Sequence, residues 1–127
     1  MEHLILIVED NPLNMELATD ILHAAGHKVL QAEDAYQAIV LARSEKPALI
    51  LMDVSLPGMD GLVATTILKR DPQTSDIPVI ALTAHAMKGD KERALAAGCD
   101  DYFTKPIDAR VLVEAAAGFI GSGLRGK

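Results

Sequence analysis

The stretch Ala48-Leu49-Ile50-Leu51-Met52-Asp53-Val54-Ser55-Leu56-Pro57-Gly58-Met59-Asp60-Gly61 decides the fold. It opens on an unbroken apolar run and turns at once into a segment rich in proline, glycine and aspartate. A short apolar run bounded by turn signals reads as a buried strand. Asp53 closes that strand, so an ionisable group stands beside low dielectric and needs partners or a metal. Its position alone leaves three uses open: a helix cap, a metal ligand or a nucleophile.

Working outward, Leu4-Ile5-Leu6-Ile7-Val8 and Val79-Ile80-Ala81-Leu82 are equally apolar. None of these runs alternates with polar residues, as expected of strands covered on both faces. Lys28-Val29-Leu30-Gln31 is shorter and more polar and reads as an edge strand. Asp101-Tyr102-Phe103-Thr104 is a weaker fifth strand. Helical periodicity fills the gaps. Met15, Ala18, Ile21, Leu22 and Ala25 share one face, and Gly26 is placed to close that helix. Asp34 caps a second helix carrying Ala35, Ala38, Ile39 and Ala42. Asp60 caps a third through Arg70, which Asp71-Pro72 ends. A fourth runs from Met87 to Ala97 and stops at Gly98. The fifth takes Asp108 as cap and Ile107 with Leu112 as a hydrophobic staple, with Val111, Ala115 and Phe119 extending its apolar face. Strand and helix in this alternation predict an α/β domain with a parallel sheet and right-handed crossovers.

A chain of 127 residues, half of them apolar, suits one domain with one core. The domain is expected over 1–120, with a flexible glycine-rich tail at 121–127. Lysine and arginine number 12 against 18 acids, a net charge of -6, which argues against a nucleic-acid surface. The single cysteine, Cys99, allows no internal disulfide and fits a reducing compartment. The start lacks a basic region, and Leu4 to Val8 is too short for a signal peptide or a membrane span. The expectation is a soluble cytoplasmic protein with no membrane partner and no direct nucleic-acid partner.

In open α/β sheets ligands bind beyond the carboxyl ends of the strands. Those ends carry Glu9-Asp10, Asp53, Thr83 and, after the fifth strand, Lys105-Pro106. Carboxylates gathered at one edge repel unless a cation joins them. Hard oxygen ligands suit Mg²⁺, and no pair of histidines or cysteines has zinc spacing. A lysine and a metal facing one carboxylate also make a phosphate site, where the carboxylate itself can be the nucleophile.

These residues carry a resemblance. Val8-Glu9-Asp10-Asn11, Leu51-Met52-Asp53 with the turn through Gly61, Ala81-Leu82-Thr83-Ala84 and Tyr102-Phe103-Thr104-Lys105-Pro106, in that order, resemble the receiver domain of two-component response regulators, the CheY-like superfamily. The match runs from Leu4 to Phe119. His85-Ala86-Met87-Lys88-Gly89-Asp90 and Ala97-Gly98-Cys99-Asp100 look like single-domain cell-cycle regulators of the DivK type and receivers of hybrid kinases. The resemblance implies a three-layer, doubly wound, flavodoxin-like fold with a five-stranded parallel sheet of order 2-1-3-4-5. It implies Asp53 as phosphoacceptor. Glu9, Asp10, Asp53 and the backbone carbonyl of Ser55 would hold Mg²⁺, with Glu9 acting through water. Lys105 would bind the phosphoryl oxygens, Thr83 would donate its hydroxyl to them, and Tyr102 would be the aromatic switch. The bond before Pro106 would be cis. Neighbouring strand residues face opposite sides, so only one of Tyr102 and Phe103 can point toward the fourth helix; the match favours Tyr102. The donor would be a histidine kinase or a histidine phosphotransfer protein. A downstream protein would read the face built by the fourth helix, fifth strand and fifth helix.

Plainer uses compete for the same residues. Glu9-Asp10 can cap the helix that Asn11-Pro12 begins. Lys105 can be a solvated loop residue, and Thr83 a hydroxyl bonded to backbone. The four histidines, His3, His23, His27 and His85, read as surface residues, with His85 beside the switch loop. Cys99 reads as a small packing residue. Lys88, Lys91 and Arg93 give the fourth helix a solvated basic face or a docking surface. As a whole, the chain can be a signalling switch or a receiver fragment of a larger hybrid kinase or phosphorelay protein. It can also be a Mg-dependent phosphatase with an aspartate nucleophile, or a flavodoxin-type binding module. Such phosphatases carry a second acid two residues after the nucleophile, where this chain has Ser55. The acidic Glu9-Asp10 would repel a flavin phosphate. With so little chain after the fifth helix, output is expected through protein binding or phosphate relay.

Overall fold

The computed structural model describes residues 3–84 and 88–121. The elements are β1 (Leu4–Val8), α1 (Pro12–Ala24), β2 (Lys28–Ala32), α2 (Ala35–Glu45), β3 (Leu49–Asp53), α3 (Gly61–Arg70), β4 (Val79–Thr83), α4 (Asp90–Ala96), β5 (Asp101–Thr104) and α5 (Ala109–Gly121). The strands form one parallel sheet in the order β2-β1-β3-β4-β5. The parallel sheet is the one the alternation predicts, and its order is the doubly wound, flavodoxin-like one that the receiver resemblance implies.

The unbroken apolar runs are explained by two cores, one on each face of the sheet. Leu6, Val8, Ile50, Met52, Val79 and Ala81 pack with alanines of α2, with Ala64 and Leu68 of α3 and with Ala94 of α4. Their strand neighbours Ile5, Ile7, Leu49, Leu51, Ile80 and Leu82 pack with Met15, Leu22, Leu112 and Ala116 of α1 and α5. Side chains alternate across a strand, so a strand buried on both faces has no polar position to spare. The same alternation splits the aromatics of β5: Tyr102 packs on the first core and Phe103 on the second.

Helix ends follow local chemistry. The Asp34, Asp60 and Asp108 carboxylates accept from Gln37, Leu62 and Arg110 backbone N–H groups, as their cap positions predict. Helix α1 is capped by Asn11, whose Oδ1 accepts from Leu13 and Asn14, and not by Glu9 or Asp10. Gly26 takes φ +93°, as a C-terminal glycine does. Helix α2 ends without glycine, on Lys46 at φ 49°, whose Nζ donates to the Gln73 carbonyl at 2.7 Å.

Three expectations are corrected or bounded. Strand β2 runs one residue further than the polar pattern suggested, to a buried Ala32. Helix α4 is short, Asp90–Ala96 after Gly89 in the left-handed region; Met87, its expected start, lies outside the described residues, as do His85 and residues 122–127 of the expected tail 121–127, whose first residue, Gly121, belongs to α5. His3 and His27 are half-buried, not surface residues, with ring centroids 6.4 Å apart at the starts of β1 and β2. The Leu4–Lys28 register brings them together. Burial, then the nearby His3, pulls His27 below the ordinary histidine pKa. Cys99 is buried against the first core.

Candidate functional site

A parallel sheet presents all its carboxyl ends at one edge, and the residues singled out from the sequence meet there. Glu9 and Asp10 follow β1, Asp53 ends β3, Thr83 ends β4 and Lys105 follows β5. A carboxylate oxygen from each of Glu9, Asp10 and Asp53 lies within 4.8 Å of the others, the one such acid group among the described residues. Glu9 and Asp53 are 5% and 3% exposed, whereas Asp10 faces solvent. Asn11 explains that exposure: it takes over the capping of α1, and Glu9 Oε2 accepts the Asn11 N–H at 3.1 Å. Asp10 is thereby left to the cleft. An open cleft of about 450 Å³, lined by Glu9, Asp10, Glu16, Asp20 and Glu33, gives a cation a negatively charged approach from solvent.

Lys105 does more than pair with one acid. Its Nζ lies 2.6 Å from Glu9 Oε1 and 3.1 Å from Asp53 Oδ2. Burial alone would lower its pKa, but the Glu9 hydrogen bond and the Asp53 charge outweigh it, and the pKa rises. Burial also raises Glu9; Lys105 and the Asn11 N–H oppose this, Asp53 adds to it, and the net direction is up. The two directions are consistent. The ammonium faces two carboxylates, while Glu9 shares one ammonium with a like charge. An ammonium so placed stays charged. The Lys105 backbone N–H is fixed in turn by the Thr83 carbonyl at 2.7 Å, and the Lys105–Pro106 bond is cis.

Asp53 is held from several directions. Its Oδ1 accepts the Ser55 N–H at 3.0 Å, which puts a backbone donor, not a second acid, two residues on. The Val54 N–H bonds the Leu82 carbonyl at 2.9 Å, locking the end of β3 to β4. Thr83 is 5% exposed, one residue beyond the Asp53–Leu82 register pair. Tyr102 packs on the same sheet face as Ala94 of α4. Its hydroxyl is buried with no hydrogen-bond partner. Burial, and next the Asp90 charge at the start of α4, raise its pKa. Three hard oxygen donors, two of them buried and one open to solvent, fit a Mg²⁺ ion well. With all three acids ionised, a divalent cation and the Lys105 ammonium together balance their charge, which removes the repulsion an incoming anionic group would otherwise meet.

Sequence reasoning missed two parts of this arrangement. The Asn11 cap was not legible because Glu9, Asp10 and Asn11 are all competent caps, and only the backbone path selects one. The sequence shows Gly61 only as the end of a turn-rich stretch, whereas its N–H donates to the Val54 carbonyl at 3.0 Å, directly beside the end of β3.

Comparison with known proteins agrees with the geometry. The response regulator receiver domain profile matches residues 5–117. The polar-differentiation response regulator DivK of Brucella anthropi is 44% identical over 117 residues, 92% of this chain and 95% of that protein. DivK of Brucella melitensis biotype 1 matches to the same extent, 44% over 117 residues with 92% and 95% coverage. Among solved structures, the receiver domain of the sensor histidine kinase PA1611 from Pseudomonas aeruginosa PAO1, with a magnesium ion coordinated in its active-site cleft, is 38% identical. It superposes with a TM-score of 0.89, over 96% of this chain and 100% of that one. A CheY-like receiver domain protein from Methanospirillum hungatei superposes with a TM-score of 0.92 at 25% identity, covering 100% of both chains.

Proposed function

The chain belongs to the response regulator receiver domain family of two-component signalling, and from that premise we propose how its own residues work. Asp53 accepts a phosphoryl group from the phosphohistidine of a histidine kinase or a histidine phosphotransfer protein. A carboxylate oxygen of Asp53 forms a bond to phosphorus as the P–N bond breaks, and the leaving imidazole nitrogen takes up a proton. The observation that carries this reading is the position of Lys105, 2.6 Å from Glu9 and 3.1 Å from Asp53 at the carboxyl edge of the sheet. An ammonium there meets the oxygens of a phosphoryl group on Asp53 without having to be brought in.

Glu9, Asp10, Asp53 and the Ser55 carbonyl would hold Mg²⁺. When bound, Mg²⁺ supplies positive charge to the transferring phosphoryl oxygens and relieves repulsion among the acids. The chain's residues do the rest. Ser55 N–H and Lys105 orient the Asp53 carboxylate, and the buried strand end limits water. Lys105 gains a phosphoryl partner and Thr83 donates its hydroxyl to it. Tyr102 follows Thr83 and changes the face formed by α4, β5 and α5, which a downstream protein reads. A two-state switch of this kind needs a ligand that binds one state better. The added charge meets that need through Lys105 and Thr83. The unpartnered Tyr102 hydroxyl supports a ring free to exchange positions, since no hydrogen bond holds it.

The test is incubation with Mg²⁺ and acetyl phosphate or phosphoramidate, followed by intact-mass measurement. One phosphoryl group per chain is expected, and none on Asp53→Asn. Equal labelling of Asp53→Asn would overturn the assignment.

A further inference from the structure

Gly61 is the first residue of α3 and is buried at the point where that helix meets the end of β3. A Cβ built on it would lie 2.1 Å from the Asp53 carbonyl oxygen, 3.0 Å from the Asp53 carbonyl carbon and 3.0 Å from the Val54 Cα. All three are backbone atoms, so no side-chain rotation can relieve the contact. Gly61 is not among the residues at positive φ, so backbone conformation does not demand glycine here. Helix propensity gives no preference for glycine over alanine here either. The contact with Asp53 is what demands glycine.

We propose that Gly61 is a positioning residue for the phosphoacceptor: the missing side chain seats the start of α3 against the Asp53 peptide and fixes where the carboxylate points. The inference rests on the reading of Asp53 as phosphoacceptor. Ordinary contact begins at 3.4 Å. An alanine therefore forces helix and strand end apart by about 1 Å, a displacement on the scale that can reduce rate by about 100-fold. The surroundings channel the strain toward Asp53. The Gly61 N–H is bonded to Val54 and the Val54 N–H to Leu82 of the next strand, while the Asp60 carboxylate caps the helix through Leu62. Glu9 and Lys105 stand on other elements, so a shift of the Asp53 peptide changes the spacing of its carboxylate to both. The acceptor thus slips relative to its partners.

The experiment compares the wild type, Gly61→Ala and a control, Gly118→Ala, in which the added Cβ meets nothing within 4 Å. Labelling by acetyl phosphate is followed at saturating donor and Mg²⁺, and Mg²⁺ affinity by calorimetry, at a temperature where each protein is folded by circular dichroism. Gly61→Ala is expected to label about 10- to 100-fold more slowly at saturation and to bind Mg²⁺ more weakly, while Gly118→Ala matches the wild type. Lower thermal stability with unchanged saturated rate and Mg²⁺ affinity would overturn the proposal, making Gly61 a packing residue only. Failure of Gly61→Ala to fold even in a stabilising osmolyte would also overturn it, since the contact would then be a condition of the fold. A wild type that does not label defeats the phosphoacceptor reading itself, an outcome distinct from both.

Discussion

Lys105 and Glu9 stand 96 residues apart in the chain, and the Lys105 ammonium donates to Glu9 Oε1 at 2.6 Å. The bond joins the loop after the last strand to the end of the first. Removing the ammonium, as in Lys105→Met, leaves Glu9 buried beside Asp53 with no cation. The Glu9 carboxyl should then titrate at higher pH than in the wild type, because the main opposing influence on burial is gone. Side-chain ¹³C NMR in metal-free buffer measures this directly. An unchanged or lower midpoint would mean that Lys105 contributes little at Glu9.

Asp10 lies in the acid group but faces solvent, and its capping role has passed to Asn11. Asp10→Asn should therefore raise stability in metal-free buffer by relieving like-charge repulsion. Mg²⁺ at a hundredfold excess over its dissociation constant should stabilise the wild type by about 2.7 kcal/mol. The variant should gain clearly less at the same Mg²⁺ concentration. Urea unfolding with and without Mg²⁺ provides the numbers, and equal Mg²⁺ stabilisation of both proteins would count against Asp10 as a ligand.

The Tyr102 hydroxyl is buried without a partner, an arrangement that carries an uncompensated desolvation cost. Tyr102→Phe keeps the ring and removes that group. The unphosphorylated protein should become more stable by about 1 kcal/mol. A loss of stability in chemical denaturation would show that the hydroxyl does find a compensating interaction.

His27 is pulled down by burial and then by His3. For a base whose folded pKa lies below its unfolded value, the unfolded chain binds more protons as pH falls past the unfolded value of about 6.5. The contribution to stability is therefore full above that pH and declines below it. Unfolding midpoints should fall between about pH 7.5 and about pH 5, and His27→Asn should flatten part of that slope. If the slope is the same in the variant, the dependence arises elsewhere.

Much of this was legible because burial on both faces leaves a plain signature. The runs Leu4–Val8, Leu49–Met52 and Val79–Leu82 have no polar position, which only a doubly covered sheet requires. Once the strands are parallel, their polar ends must share one edge, so Glu9, Asp10, Asp53, Thr83 and Lys105 could be grouped before any distance was known. Three things were not legible. The choice of Asn11 over Asp10 as cap depends on backbone direction at a single residue. The His3–His27 contact depends on the register of β1 against β2, which a polar edge strand specifies weakly. The demand for glycine at position 61 depends on how closely α3 approaches β3, a tertiary distance with no local pattern.

The order of the sheet has one more consequence. β1 lies in its interior, β5 at its edge, and the acids and their ammonium come from these two strands' ends and from β3 between them. A chain still emerging during synthesis has its acids long before it has Lys105, and a chain whose edge strand has peeled away has lost it again. The cluster of Glu9, Asp10, Asp53 and Lys105 thus doubles as an inspection of the finished molecule: it is complete only when the first, third and last strands are all in place.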